Sequence, residues 1–135
     1  MSWFLSLIAQ VQCLLDHKQE ALVAIERSVA VVEETGERVY EAEVYRIKGE
    51  LLLATDASNS IQAERSFRNA IEIAGRQKAR SWELRATTFL ARLLRETNRH
   101  DEARTMLAEI YGWFTEGFDT ADLKDAKTLL DELTA

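Results

Sequence analysis

The chain has 135 residues, of which 47% are hydrophobic and 30% charged, so it has enough apolar content for one globular domain and too much for a disordered segment. Its net charge of −6 argues against nucleic-acid binding, and its apolar runs are too short for membrane insertion. The absence of proline, the five glycines and the single cysteine, Cys13, predict a mostly helical protein of the reducing cytoplasm.

Seven predicted helices account for nearly the whole chain, because apolar residues recur with helical periodicity between short polar turns. Their expected spans are about 3–15, 18–35, 39–55, 60–76, 81–97, 99–115 and 121–134. The first six helices pair into three hairpins, at about 3–35, 39–76 and 81–115. The side chains of Asp16, Ser58 and Asn98 are expected to cap the second helix of each hairpin. The whole chain, 1–135, is thus predicted to be a single all-α domain.

The first predicted helix begins with an apolar surface that no earlier hairpin would cover. We therefore expect this end either to form a homodimer contact, which we favour, or to dock onto upstream sequence in a longer protein. The segment lacks a basic leader and a cleavage site, so it is not expected to be a signal peptide. The side chains expected to make the contact are Trp3, Phe4, Leu7 and Ile8.

A pattern of small and bulky residues occurs three times, once in each hairpin. Copies recur every 40 to 42 residues, and the last three positions of each copy step by four and then three, which is one face of a helix. This period is typical of stacked helical hairpins, which commonly bind other proteins. The three copies are Ala9, Ala21, Ile25 and Ser28; Gly49, Ala63, Phe67 and Ala70; and Ala91, Ala103, Leu107 and Ile110.

The order of residues in this pattern resembles the tetratricopeptide repeat, although the period is longer than the usual value of about 34 residues. The resemblance implies a right-handed stack of three helical hairpins, closed by the helix at 121–134 as a C-terminal cap. The aromatic residues Tyr111, Trp113, Phe114 and Phe118 precede that cap. They would serve either as an anchor for it, which we favour, or as a platform for a cofactor or base.

A basic stripe is the most notable candidate site. Arg85, Thr88, Arg92 and Arg95 share one face of the helix at 81–97, and the spacing continues to Arg99. In tetratricopeptide stacks the first helix of each hairpin lines a concave groove, where such a face would bind acidic side chains or a small anionic ligand. The basic residue that the preceding hairpin would add to the groove is Arg46.

A structural role for the same arginines is the alternative. A shift by the 42-residue repeat aligns Arg85 with Glu43 and Arg92 with Glu50. Salt bridges between neighbouring hairpins would then neutralise the face, and exposed pairs of this kind contribute only about 0–1 kcal/mol each.

No constellation of residues predicts catalysis, a metal site or a cofactor. The two histidines, His17 and His100, lie in different hairpins without a partner at ligand spacing. No nucleophile has an adjacent base, and the phosphate-binding pattern G-x-x-x-x-G-K-[ST] is absent from the sequence. We therefore expect a protein that is not an enzyme.

A more specific resemblance lies in three segments: EAEVYRIKGELLLA at 41–54, SFRNAIEIAGRQKARSWELRATTFLARLL at 66–94 and YGWFTEGFDTADLKDAKTLLDEL at 111–133. Together they resemble the C-terminal tetratricopeptide-like tail of bacterial regulators that join an adenylate/guanylate cyclase domain, or a DNA-binding domain, to a P-loop ATPase. The most distinctive block is 112–120, and Ala121 stands where that family often has proline.

This resemblance implies a non-catalytic protein–protein interaction module of a signalling or transcriptional regulator. Two other functions stay open at this point. One is a module that binds a small anionic effector through the arginine groove, and the other is a structural unit for homodimerisation.

Overall fold

The computed structural model describes residues 17–35 and 41–134 of the chain. Within these ranges every regular element is helical, so this part of the protein is all-α. A short 3₁₀ turn, Ala57–Asn59, precedes the third helix. The helices are α1 (Lys18–Thr35), α2 (Glu41–Thr55), α3 (Ser60–Arg76), α4 (Arg80–Glu96), α5 (His100–Tyr111) and α6 (Ala121–Thr134).

Six of the predicted helices are therefore present, and the predicted helix at 3–15 lies outside the described residues. The largest difference is at α5, which ends at Tyr111 and not at 115. Turns follow it, and Gly117 adopts a positive φ of 78°, a conformation that glycine accommodates without strain. None of the described helices is long and apolar enough to cross a bilayer.

Each helix packs against the next one along the chain, and two pairs of alternate helices are also in contact. α2 contacts α4, and α4 contacts α6, so these three helices lie side by side with α4 in the middle. The helices α3 and α5 are linked by ion pairs between their side chains. As a result, α4 is the central helix and contacts α2, α3, α5 and α6.

The small residues of the repeated pattern are buried where the helices come closest. Ala63 and Ala103 are fully buried, and Ala91 is 1% exposed. Gly49 faces the buried ring of Phe67, and a Cβ at this glycine would lie only 2.6 Å from a ring carbon. The prediction that these small residues lie at close helix contacts is thus confirmed for the described residues. A larger side chain at Gly49 would push α2 away from α3.

Two helix connections share the same local geometry. Lys78 and Asn98 adopt positive φ values of 57° and 63°, one residue before the N-cap of the next helix. In the second turn the Arg99 amide donates to the Leu94 carbonyl at 2.8 Å, and the first turn has the equivalent bond. Asn98 therefore closes the end of α4, and the prediction that it caps α5 is wrong, because α5 begins without a side-chain cap.

The last helix covers the end of the described core. Its buried positions belong to the same apolar cluster as Leu107 and Ile110 of α5. This confirms that α6 packs against the preceding hairpin with its apolar face inward. Those buried positions are Leu123, Ala126, Leu129 and Leu133, and Leu130 is partly buried beside them.

Candidate binding face

Four of the predicted groove residues lie around one pocket of about 270 Å³. The pocket extends across α2, α4 and α6, because these helices lie side by side. We call the surface around it the arginine face. Its lining residues are Arg46, Arg85, Thr88, Phe89, Arg92, Asp122 and Asp125.

Arg46 is held rigidly at one edge of this face. Its side chain is only 6% exposed. It donates to Glu43 on one side, with an Nη2–Oε2 distance of 3.0 Å, and to Glu50 on the other, at 3.2 Å. The guanidinium carbon also lies 4.8 Å from the centre of the Phe89 ring, so the charge is compensated and the planar group is stacked.

Arg85 joins three helices through its guanidinium group. It donates to Glu43 of α2 at 3.1 Å and forms a two-pronged pair with Asp122 of α6 at 3.0 and 3.1 Å. The hydrogen bond to Asp122 raises the pKa of Arg85, and the charge of Glu43 adds to this effect against the opposing cost of burial. The predicted Glu43–Arg85 salt bridge is therefore confirmed.

Arg92 differs from both of these arginines. Its guanidinium carbon lies 5.2 Å from the centre of the Phe89 ring. Both arginines thus contact this ring, but Arg46 is also paired with carboxylates. The predicted Glu50–Arg92 salt bridge is wrong, because Glu50 pairs with Arg46 four residues earlier on its own helix. Within the described part of the chain, no carboxylate lies within salt-bridge distance of Arg92. The arginine face thus has one guanidinium group that is stacked on an aromatic ring and not neutralised.

The remaining members of the predicted stripe are occupied elsewhere. The buried hydroxyl of Thr88 donates to the Leu84 carbonyl of its own helix. Arg95 lies outside the pocket lining and forms an ion pair with Glu132 of α6. Arg99 belongs to the other side of the fold, because α4 ends at Glu96 and the spacing of the stripe does not continue past that point.

A second ion cluster joins α3 to α5. Arg99 pairs with Glu64 at 2.7 Å and with Glu102 at 2.6 Å, while Arg68 reaches the same two carboxylates. The hydrogen bonds that Arg99 donates to Glu64 and Glu102 raise the pKa of Arg99. We call these four residues the outer ion cluster, and Glu43, Arg46, Arg85 and Asp122 the inner ion cluster.

The acidic residues of α6 and the ring of Phe89 were missed from the sequence. One signal would have found the pairs: Asp122 follows Arg85 by 37 residues, and Glu132 follows Arg95 by the same number. Two equal offsets of opposite charge indicate that α6 lies beside α4 in a regular register. Phe89 has no comparable signal, because an aromatic residue on a helix is expected in the core.

The aromatic residues before α6 have two different roles. Tyr111 and Phe114 pack against the main apolar cluster, as an anchor for the last helix requires. Phe118 lies 5.8 Å from Tyr111, ring centre to ring centre. Trp113 does not fit the anchor interpretation, because it is 57% exposed and stacks with Arg80 of α4.

The histidines and the predicted self-association residues are the last candidates from the sequence. His17 lies 3.1 Å from Glu20, and no group of three potential metal-binding side chains occurs in the described ranges. The self-association residues Trp3, Phe4, Leu7 and Ile8 lie outside these ranges, so homodimerisation stays a prediction.

No protein-family model matches the chain, and no curated protein matches its sequence. The resemblance to the tails of cyclase–ATPase regulators therefore stays a prediction from the three quoted segments.

Proposed function

We propose that the chain is a non-catalytic protein-interaction module that binds a partner through the arginine face. The observation that carries this proposal is that two guanidinium groups, those of Arg46 and Arg92, lie against the ring of Phe89 in a pocket that extends over three helices. Aromatic and arginine side chains are the residues most enriched at protein–protein hot spots. A face of this composition is suited to a partner segment that offers both an apolar and an acidic group.

The charge balance supports a protein partner over a small anionic effector. Arg46 and Arg85 already have carboxylate partners, and Asp122 and Asp125 add negative charge to the lining. A small polyanion would have to displace these pairs, at a cost in buried, uncompensated charge. Of the three arginines that line the pocket, Arg92 alone has no carboxylate partner among the described residues, which fits a single acidic side chain flanked by apolar groups.

The resemblance noted in the sequence suggests where such a module would act. The tetratricopeptide-like tail of a bacterial signalling or transcriptional regulator would use the arginine face to recruit or sense another protein. The side-by-side packing of α2, α4 and α6 is what a tetratricopeptide-like stack would require, and it supports this proposal.

The test is a selection of random displayed peptides on the purified chain, followed by affinity measurements with two charge-reversed variants. Arg92→Glu should weaken the selected peptides about tenfold or more, because it reverses the charge of the lining arginine that has no carboxylate partner among the described residues. The matched control is Arg65→Glu, an exposed arginine of α3 outside the pocket and without a carboxylate partner among the described residues.

Equal affinities for Arg92→Glu and the control would contradict the proposal, provided that both variants unfold at the wild-type temperature. The selected peptides should contain an acidic residue beside an apolar one. A selection that yields only basic peptides would also count against the arginine face as the binding site.

A further inference from the structure

Trp113 is an exposed aromatic side chain that is nevertheless held in place. Although 57% of it is exposed, the Arg80 guanidinium carbon lies 5.1 Å from its ring centre, and Phe114 meets it edge-on at 5.4 Å. Arg80 is in turn fixed by Glu83, at an Nη1–Oε1 distance of 2.7 Å. The ring is therefore preorganised by an arginine that is itself anchored.

A pocket of about 260 Å³ lies beside this ring. Ile71 of α3 and Met106 and Ile110 of α5 provide its apolar lining. Met106 and Ile110 lie one turn apart on α5, and Trp113 follows in the turn after the helix, so the three side chains line the same pocket. The pocket thus combines a rigid exposed tryptophan with enough room for one apolar side chain.

The charged rim of this pocket has an uncompensated carboxylate. Arg80 and Glu83 neutralise each other. Glu109, which also lines the pocket, has no basic group within salt-bridge distance among the residues that the structure describes. The rim therefore carries one net negative charge, on a chain whose overall charge is −6.

This pocket is separate from the arginine face. Glu83 and Thr87 of α4 line it, whereas Phe89 and Arg92 line the arginine face. With 3.6 residues per turn, the two pairs lie on opposite sides of α4. A ligand on one side does not contact the side chains of the other.

We propose that the Trp113 pocket is a second interaction site, which binds a partner-protein segment carrying an apolar side chain next to a lysine or arginine. The apolar group inserts between Trp113 and Met106, and the basic group pairs with Glu109. Preorganisation of the tryptophan reduces the entropy lost on binding, and the negative charge of the chain attracts the basic segment. The module would then hold two segments of opposite charge on the two sides of α4.

The experiment selects random displayed peptides on the wild-type chain after depletion on Trp113→Ala, and then measures the affinity of each enriched peptide. Enriched peptides should contain an apolar residue beside lysine or arginine. Their addition should shift the indole N–H resonance of Trp113, and Glu109→Lys should weaken them about tenfold.

Three variants keep the result specific. Ile61→Ala removes an exposed apolar side chain of α3 outside the pocket, and Glu26→Lys makes the same charge change on α1. Neither should alter the affinity, and Arg92→Glu should also leave it unchanged. Circular dichroism verifies that all variants remain helical.

Three outcomes would overturn the proposal. The first is a selection that enriches no Trp113-dependent peptide. The second is enrichment of acidic peptides. The third is an affinity that Glu109→Lys leaves at the wild-type value. Because Arg92→Glu acts only on the arginine face, failure here is distinguishable from failure of the first binding site.

Discussion

The inner and outer ion clusters both join helices that are not neighbours in sequence, but only the inner one contains a largely buried ion pair, Arg46–Glu43. Each joins helices that are not consecutive, the inner cluster joining α2, α4 and α6 and the outer one α3 and α5. The Arg46 side chain of the inner cluster is 6% exposed, whereas Arg68 and Arg99 of the outer cluster are each 42% exposed. Different energetics are therefore expected, because water screens the outer pairs and the half-buried Arg85–Asp122 pair, whereas the Arg46–Glu43 pair is largely shielded from water.

The two clusters also differ in their position relative to the proposed binding sites. The inner cluster places Phe89 and Arg92 at the arginine face by stacking Arg46 against the ring and by holding α6 through Asp122. The outer cluster has no comparable role, since its residues line neither described pocket. Four substitutions test this comparison, and the expected loss of stability decreases from the first to the last.

Arg46→Met should cause the largest loss, about 2–3 kcal/mol in the free energy of unfolding. The substitution keeps most of the side-chain volume but leaves Glu43, whose side chain is 14% exposed, with Arg85 as its one remaining cation. Urea denaturation measures the effect, and Arg65→Met at an exposed position is the control. A loss no larger than that of the control would remove the energetic distinction between the clusters.

Arg85→Met should cost about 1–2 kcal/mol, less than Arg46→Met because this side chain is 35% exposed. Its particular consequence is local, because Asp122 at the start of α6 loses its two-pronged partner. Amide hydrogen exchange should become faster in the first turn of α6 than in α3. Uniform acceleration in both helices would contradict a specific role in docking α6.

Glu64→Gln should have a smaller and pH-dependent effect. Burial raises the pKa of Glu64, but hydrogen bonds and charge from Arg99 and Arg68 outweigh it, and the pKa lies below its ordinary value of 4.5. A carboxyl with a lowered pKa stabilises the folded state above that ordinary value and loses the contribution as the pH falls through the lowered one. The difference in unfolding free energy between wild type and variant should thus be constant near neutral pH and shrink in acid.

The measurement for Glu64 is urea denaturation at a series of pH values, with Glu26→Gln as reference, because Glu26 is exposed and has no ion pair among the described residues. A difference that grows as the pH falls below 4.5 would reverse the assigned sign.

Arg68→Met should have the smallest effect, about 0–1 kcal/mol, because the pair is exposed and both carboxylates keep Arg99. High salt should reduce even this difference, since it screens surface charges. A cost equal to that of Arg46→Met would show that burial does not set the strength of these clusters.

The helices were predictable because helix formation depends on neighbours in sequence. The spans of α1, α3 and α6 agree with the prediction, because periodic apolar residues and the lack of proline act locally. The end of α5 was less predictable. Residues 112–115 have no strong helix breaker beyond Gly112, and the packing of Phe114 against the core decides where the chain turns.

The arginine face was only half predictable for a similar reason. The repeat offset correctly paired Arg85 with Glu43, since both lie on equivalent helices. The same offset failed for Arg92, because Glu50 found a nearer partner in Arg46 on its own helix.

The amino-acid sequence was enough to predict which segments are helices, which small residues lie at close helix contacts and which face of α4 is basic. These properties follow from local periodicity and side-chain size. The tertiary structure was needed to show which carboxylate meets which arginine across helices, and that Trp113 lies against Arg80. Those choices depend on the distances between helices that are 30 or more residues apart in sequence, such as the 37 residues from Arg85 to Asp122. Long, flexible charged side chains can reach several partners, so the tertiary arrangement selects among them.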